Sequence, residues 1–188
     1  VTLSGTYQYG QTLTAEVNQS NSTGTLNYQW KRNGTAIVSA TTTTYTLDEE
    51  DIATTISVTV TASDKTGSIS SDETDEIEKA NCEAPSAPIL ASKSYNSVTL
   101  TTVEGCEYAI NGGVWKSSSA FNNLKASTNY SFTQRYAETA THKASSASEK
   151  LTVTTDEEPV NALTGKVAIS GTLQYGETLT AIVSNTNN

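Results

Sequence analysis

The feature that most constrains this 188-residue chain is that its opening returns at its end. Val1-Thr-Leu-Ser-Gly-Thr-Tyr-Gln-Tyr-Gly-Gln-Thr-Leu-Thr-Ala-Glu-Val17 reappears as Val167-Ala-Ile-Ser-Gly-Thr-Leu-Gln-Tyr-Gly-Glu-Thr-Leu-Thr-Ala-Ile-Val183, and 13 of 22 aligned positions are identical. The offset of 166 residues is longer than the roughly 20 to 50 residues of solenoid repeats. The repeating unit therefore reads as a pair of different modules: X, then Y, then the beginning of X again, cut from a longer array. Acidic stretches followed by prolines mark the seams, Asp72-Glu-Thr-Asp-Glu-Ile-Glu78 before Pro85 and Pro88, and Asp156-Glu-Glu-Pro159. Proline removes a ladder donor and stops a strand. The expected domains are residues 1–80, 81–157 and a partial repeat over 158–188.

Both modules are expected to be all-β. The chain has no Met, and its Thr, Ser, Val, Tyr and Asn gather in short runs between turn residues, the composition of pleated, half-buried strands. In module X, Leu13, Ala15 and Val17 share one face of a strand, as do Tyr28 and Trp30 of the next. Asn33-Gly34 supplies the positive φ values of a two-residue hairpin. Ile56, Val58 and Val60 face inward on a later strand, and Asp48 or Asp51 caps a short helical turn between strands. Short strands at this spacing indicate a sandwich.

Residues 1–70 resemble the immunoglobulin-like repeats of bacterial, mostly Gram-positive, surface proteins. The resemblance is carried by Ser4-Gly-Thr, Tyr9-Gly-Gln-Thr-Leu-Thr-Ala15, Leu26-Asn-Tyr-Gln-Trp-Lys-Arg-Asn-Gly-Thr-Ala-Ile37, Tyr45-Thr-Leu47, and Asp51-Ile followed by Ile56-Ser-Val-Thr-Val60. It implies an immunoglobulin-like sandwich on a cell surface. Paired inter-sheet cysteines are missing from this module, so the core around Trp30 is expected to close by aliphatic packing alone. The later part of module Y, Leu124 to Tyr136 and Ser145 to Thr155, resembles a fibronectin type III module. That resemblance implies a corner in which the Tyr130 hydroxyl caps the turn after Leu124, and a last strand ending in Thr154-Thr155. It departs from the family in lacking a strand-B Trp; Trp115 follows Asn111-Gly-Gly113 instead.

A hairpin over Ile89–Ser92 and Ser97–Val103 turns at Lys93-Ser-Tyr-Asn96, which sets Cys82 and Cys106 at equal distances from the turn. A cross-strand disulfide is expected there, closing a loop of about 25 residues and contributing roughly 3 kcal/mol. It implies an oxidising compartment.

Catalysis finds little material. The sole histidine, His142, lies in a polar loop and lacks the base-and-nucleophile pattern. Two cysteines and one histidine do not have zinc-ligand spacing, and no Gly-rich phosphate loop joins a strand to a helix. The acidic runs Asp48–Asp51, Asp72–Glu78 and Asp156–Glu158 carry the oxygens calcium prefers, but none has the spacing of a calcium loop, and such runs ordinarily solubilise a domain. Asn18, Asn21, Asn33 and Asn129 begin Asn-x-Ser/Thr triplets compatible with secretion. Trp115 and the tyrosines suit either core packing or contact with a sugar. No catalytic residue, metal or cofactor is expected.

A net charge of −9 repels phosphate backbones, so nucleic acid is not an expected partner. No run approaches the roughly 20 apolar residues of a membrane-spanning helix, and Val1 opens into strand-like sequence without a signal segment; no membrane insertion is expected. The expected role is a non-enzymatic spacer or stalk segment of a bacterial cell-surface or secreted, extracellular protein. The alternative is an adhesive module that binds a host glycan or protein through loops at a sandwich end. The expected partners are other modules of the same array. Residues 160–188 hold only the opening strands of an X module, so they are expected to pair elsewhere, with module Y or with a second copy in a homodimer by strand exchange.

Overall fold

The computed structural model describes residues 1–18, 21–160 and 165–184. It is all-β: fifteen strands and one 3-10 turn among the described residues. The first seven strands are β1 (Thr2–Ser4), β2 (Thr12–Glu16), β3 (Leu26–Arg32), β4 (Thr35–Ala36), β5 (Thr44–Thr46), β6 (Ile56–Ala62) and β7 (Ile69–Ser70). They form a three-stranded sheet, β1-β2-β5, and a four-stranded sheet, β4-β3-β6-β7, with every paired neighbour antiparallel. The next six are β8 (Leu90–Lys93), β9 (Ser97–Leu100), β10 (Cys106–Ile110), β11 (Ala120–Asn122), β12 (Asn129–Tyr136) and β13 (Leu151–Thr154). They form β8-β9-β11 and β10-β12-β13.

In the first half the first, second and fifth strands make one layer and the third, fourth, sixth and seventh the other; in the second half, where the short β4 has no counterpart, the first, second and fourth strands make one layer and the third, fifth and sixth the other. This is the strand order of immunoglobulin-like and fibronectin type III-like sandwiches. Each pair of layers closes on its own core. Leu13, Ala15, Trp30, Leu47, Ile56, Val58, Val60 and Ile77 form the first; Val98, Leu100, Cys106, Tyr108, Phe121, Phe132 and Val153 form the second.

Period-two alternation explains the first core. On β2, Leu13 and Ala15 are buried while Thr12 and Glu16 face out, and on β6 Ile56, Val58 and Val60 point inward. Trp30 is fully buried opposite Val58. Its indole N–H donates to the Thr42 carbonyl at 2.9 Å and its ring stacks on Tyr45 at 5.6 Å, so the large side chain is both covered and satisfied. Asn33 (φ 45°) and Gly34 (φ 76°) make the two-residue turn from β3 to β4. Burial of each such apolar side chain is worth about 1.5 to 3 kcal/mol.

The remaining strands, β14 (Lys166–Ser170) and β15 (Thr180–Ser184), form an isolated hairpin. It repeats the opening hairpin residue for residue. Thr2↔Glu16, Leu3↔Ala15 and Ser4↔Thr14 become Ala168↔Ile182, Ile169↔Ala181 and Ser170↔Thr180. Even the glycine that leaves β1 is reproduced. A Cβ on Gly5 (φ 133°) would meet the Thr12 carbonyl at 2.7 Å, and one on Gly171 (φ 136°) would meet the Thr178 carbonyl at 2.6 Å, so neither position admits a side chain. The surroundings differ. Leu13 is 0 % exposed in the core that includes Trp30, whereas its counterpart Leu179 is 45 % exposed and Ile169 is 71 % exposed. Residues 161–164 and 185–188, part of the tail expected to pair, lie outside the described residues.

The expected disulfide is not formed: Cys82 and Cys106 are free thiols. A hairpin does turn near residue 94, joining β8 to β9, but the register does not run on to the cysteines. Cys106 opens β10 in the opposite layer, paired with Tyr136, and Cys82 lies in the strandless segment before β8, its thiol 3.7 Å from the Glu83 carbonyl. Equal distance from a turn implies a cross-strand pair only while both chains stay in one ladder.

Candidate functional site

Three places concentrate polar side chains. The first lies around the 3-10 turn Glu49–Asp51. Asp48 caps it, accepting from Glu50 N, while the Asp51 carboxylate accepts from Asp48 N at 2.8 Å, a reciprocal capping box. Asp51 is fully buried. It also accepts from Arg32 Nε at 2.7 Å and from the Tyr45 hydroxyl at 2.9 Å. Arg32 spreads its other nitrogens to Glu50 at 2.7 Å and Asp48 at 3.2 Å. Burial works against the Arg32 charge, yet the hydrogen bonds to Asp51 and Glu50 outweigh it and raise its pKa. Burial, then the bond to Asp51, pushes the Tyr45 hydroxyl well above its ordinary value. Each acidic side chain facing Arg32 is thus spent on the protein itself, and the cluster is a structural tie.

The second place is the surface of β10 and β12. Arg135 donates through Nε to Glu107 at 3.0 Å and lies 4.5 Å from the Trp115 ring. The guanidinium therefore packs over one face of the indole. Leu124 is half-buried and packs against the second core, and the half-buried Tyr130 accepts from Lys125 N through its hydroxyl at 2.9 Å. The triplet asparagines Asn33 and Asn129 use their side chains within the fold, toward Thr55 and Thr154. Among the described residues no group of three or more His, Cys, Asp or Glu gathers as a metal site, and no helix is long and apolar enough to cross a membrane.

The third place is the seam between the sandwiches, and here residues far apart in sequence converge. Ile77 is 1 % exposed. Its N–H donates to the Thr54 carbonyl at 2.9 Å and its carbonyl accepts from Ala53 N at 2.8 Å, in a parallel bridge with Ile52. Glu78 turns its backbone the other way. Its N–H donates to the Tyr7 carbonyl and its carbonyl accepts from Tyr9 N, both at 2.9 Å, in a parallel bridge with Gln8. Two residues later Ala80 donates to the Thr141 carbonyl and accepts from Lys143 N, again at 2.9 Å and again parallel, opposite His142. Backbone groups of a strand alternate sides, so residues 7–9 and 141–143 flank the same edge of one short extended segment. That placement explains the edge-on contact of Tyr9 with His142, 5.8 Å between ring centres.

Side chains close the seam further. Lys143 Nζ lies 2.7 Å from Glu78, and Lys79 Nζ lies 2.6 Å from Glu138 and 2.7 Å from the Thr139 carbonyl. The hydrogen bond from Lys143 holds the Glu78 carboxyl below its usual range, and that from Lys79 does the same for Glu138. Exposed pairs of this kind are each worth at most about 1 kcal/mol, so the backbone bonds supply the order. His142 serves the seam: its backbone N–H donates to the Thr139 hydroxyl oxygen at 3.0 Å and its Nδ1 shares a hydrogen bond with the Thr141 hydroxyl. Sequence reasoning missed this site because Asp72–Glu78 has the composition of a linker; Thr74 and Ile77, both buried among the acids, were the available signal.

No family model matches the sequence, and no curated protein does. Among solved structures, the chicken interferon gamma receptor alpha chain aligns at 11 % identity and a TM-score of 0.40, covering 82 % of this chain and 97 % of that one. The FN1–FN3 domains of chicken CNTN1 align at 17 % identity and a TM-score of 0.29, covering 83 % of this chain and 66 % of that one. The sandwich assignment rests on the strand order and the two cores described above.

Proposed function

We propose that the chain is a non-enzymatic spacer segment of a modular bacterial surface or secreted protein, in which tandem sandwiches hold a distal domain at a distance. The observation that carries this reading is the seam. From Ile77 to Ala80 every residue is tied by its backbone or side chain to one sandwich or the other, leaving no free linker. A binding protein that closes around a ligand needs a hinge; a spacer needs none. The polar clusters, satisfied internally, point the same way, and the partners of the segment are the neighbouring modules of its own array.

Small-angle scattering tests the reading. A single compact domain of this length has a radius of gyration of about 16 Å. The spacer is expected to give a clearly larger radius, with a distance distribution skewed to long values that does not change with added salt. A radius near the compact value would refute it.

A further inference from the structure

We propose that the first sandwich is a mechanical clamp, which resists tension along the array because its incoming and outgoing segments are bonded directly to each other in parallel. The proposal rests on the spacer reading and adds a mechanical function to it.

The geometry follows from two bridges. Residues 7–9 belong to the incoming segment and residues 77–79 to the outgoing one, and they pair in parallel through Glu78 N to the Tyr7 carbonyl and Tyr9 N to the Glu78 carbonyl. Tension pulls the incoming segment toward its N-terminal end and the outgoing segment toward its C-terminal end. For parallel neighbours these directions are opposed along the strand axis. The two bonds therefore lie across the load and must yield together; a pair pulled apart perpendicular to its strands would instead lose its bonds in turn. The outgoing segment cannot slip on its other side either, because Ile77 is bonded in parallel to residues 52–54 and its side chain is inside the core.

Load then passes into the second sandwich through Ala80, bonded in parallel to Thr141 and Lys143. The second sandwich is built differently. Its incoming strand β8 and outgoing strand β13 lie in separate sheets, as β1 and β7 do in the first, but among the described residues no parallel bridge joins the segments beside them. The direct backbone link between those ends is a single bond, Asp156 N to the Ser94 carbonyl at 3.1 Å. It should give way first.

Forced unfolding reads the rate of crossing the barrier, so the test is single-molecule stretching of the whole chain between its termini. Each sandwich releases a tether of about 250 Å, taking roughly 3.6 Å per residue. Two unfolding peaks are expected, one at clearly higher force. Tyr9→Pro deletes one of the two clamp donors and should lower the stronger peak by about half, leaving the weaker one in place. Tyr9→Ala keeps the donor while removing the ring and should leave both peaks where they were. Two peaks unmoved by Tyr9→Pro, or a fall confined to the weaker peak, would overturn the proposal. Should Tyr9→Pro abolish the first sandwich altogether, the decision passes to a tether at Val38→Cys in the Cys82→Ser background. Val38 is 91 % exposed, and pulling from it bypasses residues 7–9. The stronger peak should again fall by about half; an undiminished force overturns the clamp. A compact scattering radius with the force asymmetry intact would refute the spacer alone.

Discussion

Asp51 shows what a buried charge asks of its surroundings. It is fully enclosed, and it is tolerated because Arg32, Tyr45 and the Asp48 N–H satisfy both carboxylate oxygens. Asp51→Ala leaves the half-buried Arg32 without its inner partner and uncaps the turn, so it should cost about 3 kcal/mol, read as a shift in the urea midpoint of the first sandwich. Tyr130→Phe removes only the acceptor of Lys125 N and should cost about 1 kcal/mol in the second. The cysteines separate by environment. Burial, and then the nearby Cys82, raises the pKa of the Cys106 thiol, so at pH 8 iodoacetamide should label Cys82 first and Cys106 only as the domain opens. Residues such as Trp30 were legible because one aromatic on an alternating strand has one destination. The fate of the cysteines was not, since it depends on which sheet β10 joins, and that is decided by pairing with β12.

Among elements, the hairpins announced themselves and the seam did not. Asn33-Gly34 specifies its turn through local backbone conformation alone, and Asp48 its cap, so a window of a few residues contains the whole cause. The seam depends on residues near 8, 53, 78 and 141 meeting, and no local window holds that information. Its ion pairs make a pH prediction. Glu78 and Glu138 have pKa values lowered from 4.5 by Lys143 and Lys79. For groups depressed in the folded state, the contribution is complete above the ordinary value of 4.5 and is lost as pH falls through the lowered values. Amide exchange at Ala80 and Lys143, corrected for intrinsic rates, should therefore show unchanged protection from about pH 7 to 5 and progressively weaker protection as pH falls below the ordinary value of 4.5. Lys143→Ala should make protection at the seam independent of the Glu78 titration while leaving both cores folded.

For the whole molecule, the terminal repeat matters through what its two copies do not share. The same sequence pattern folds the same hairpin with the same register twice, so the local conformation is written into those residues. In the first copy Leu13, Ala15 and their neighbours pack against the sheet carrying Trp30, and within these 188 residues the described second hairpin has no such sheet over it. Val167, Ile169, Leu179 and Val183 are consequently 45 to 71 % exposed on the hairpin. A two-stranded hairpin is marginally stable by itself, and a contiguous apolar face of this kind drives association. The 188-residue chain should therefore self-associate as its concentration rises, and deletion of residues 160–188 should return it to a monomer in multi-angle light scattering. Ile169→Lys, placed in the middle of that face, should have the same effect without shortening the chain. A dimer that survives both changes would locate the contact on the sandwiches themselves, and would show that the exposed hairpin is tolerated as it stands.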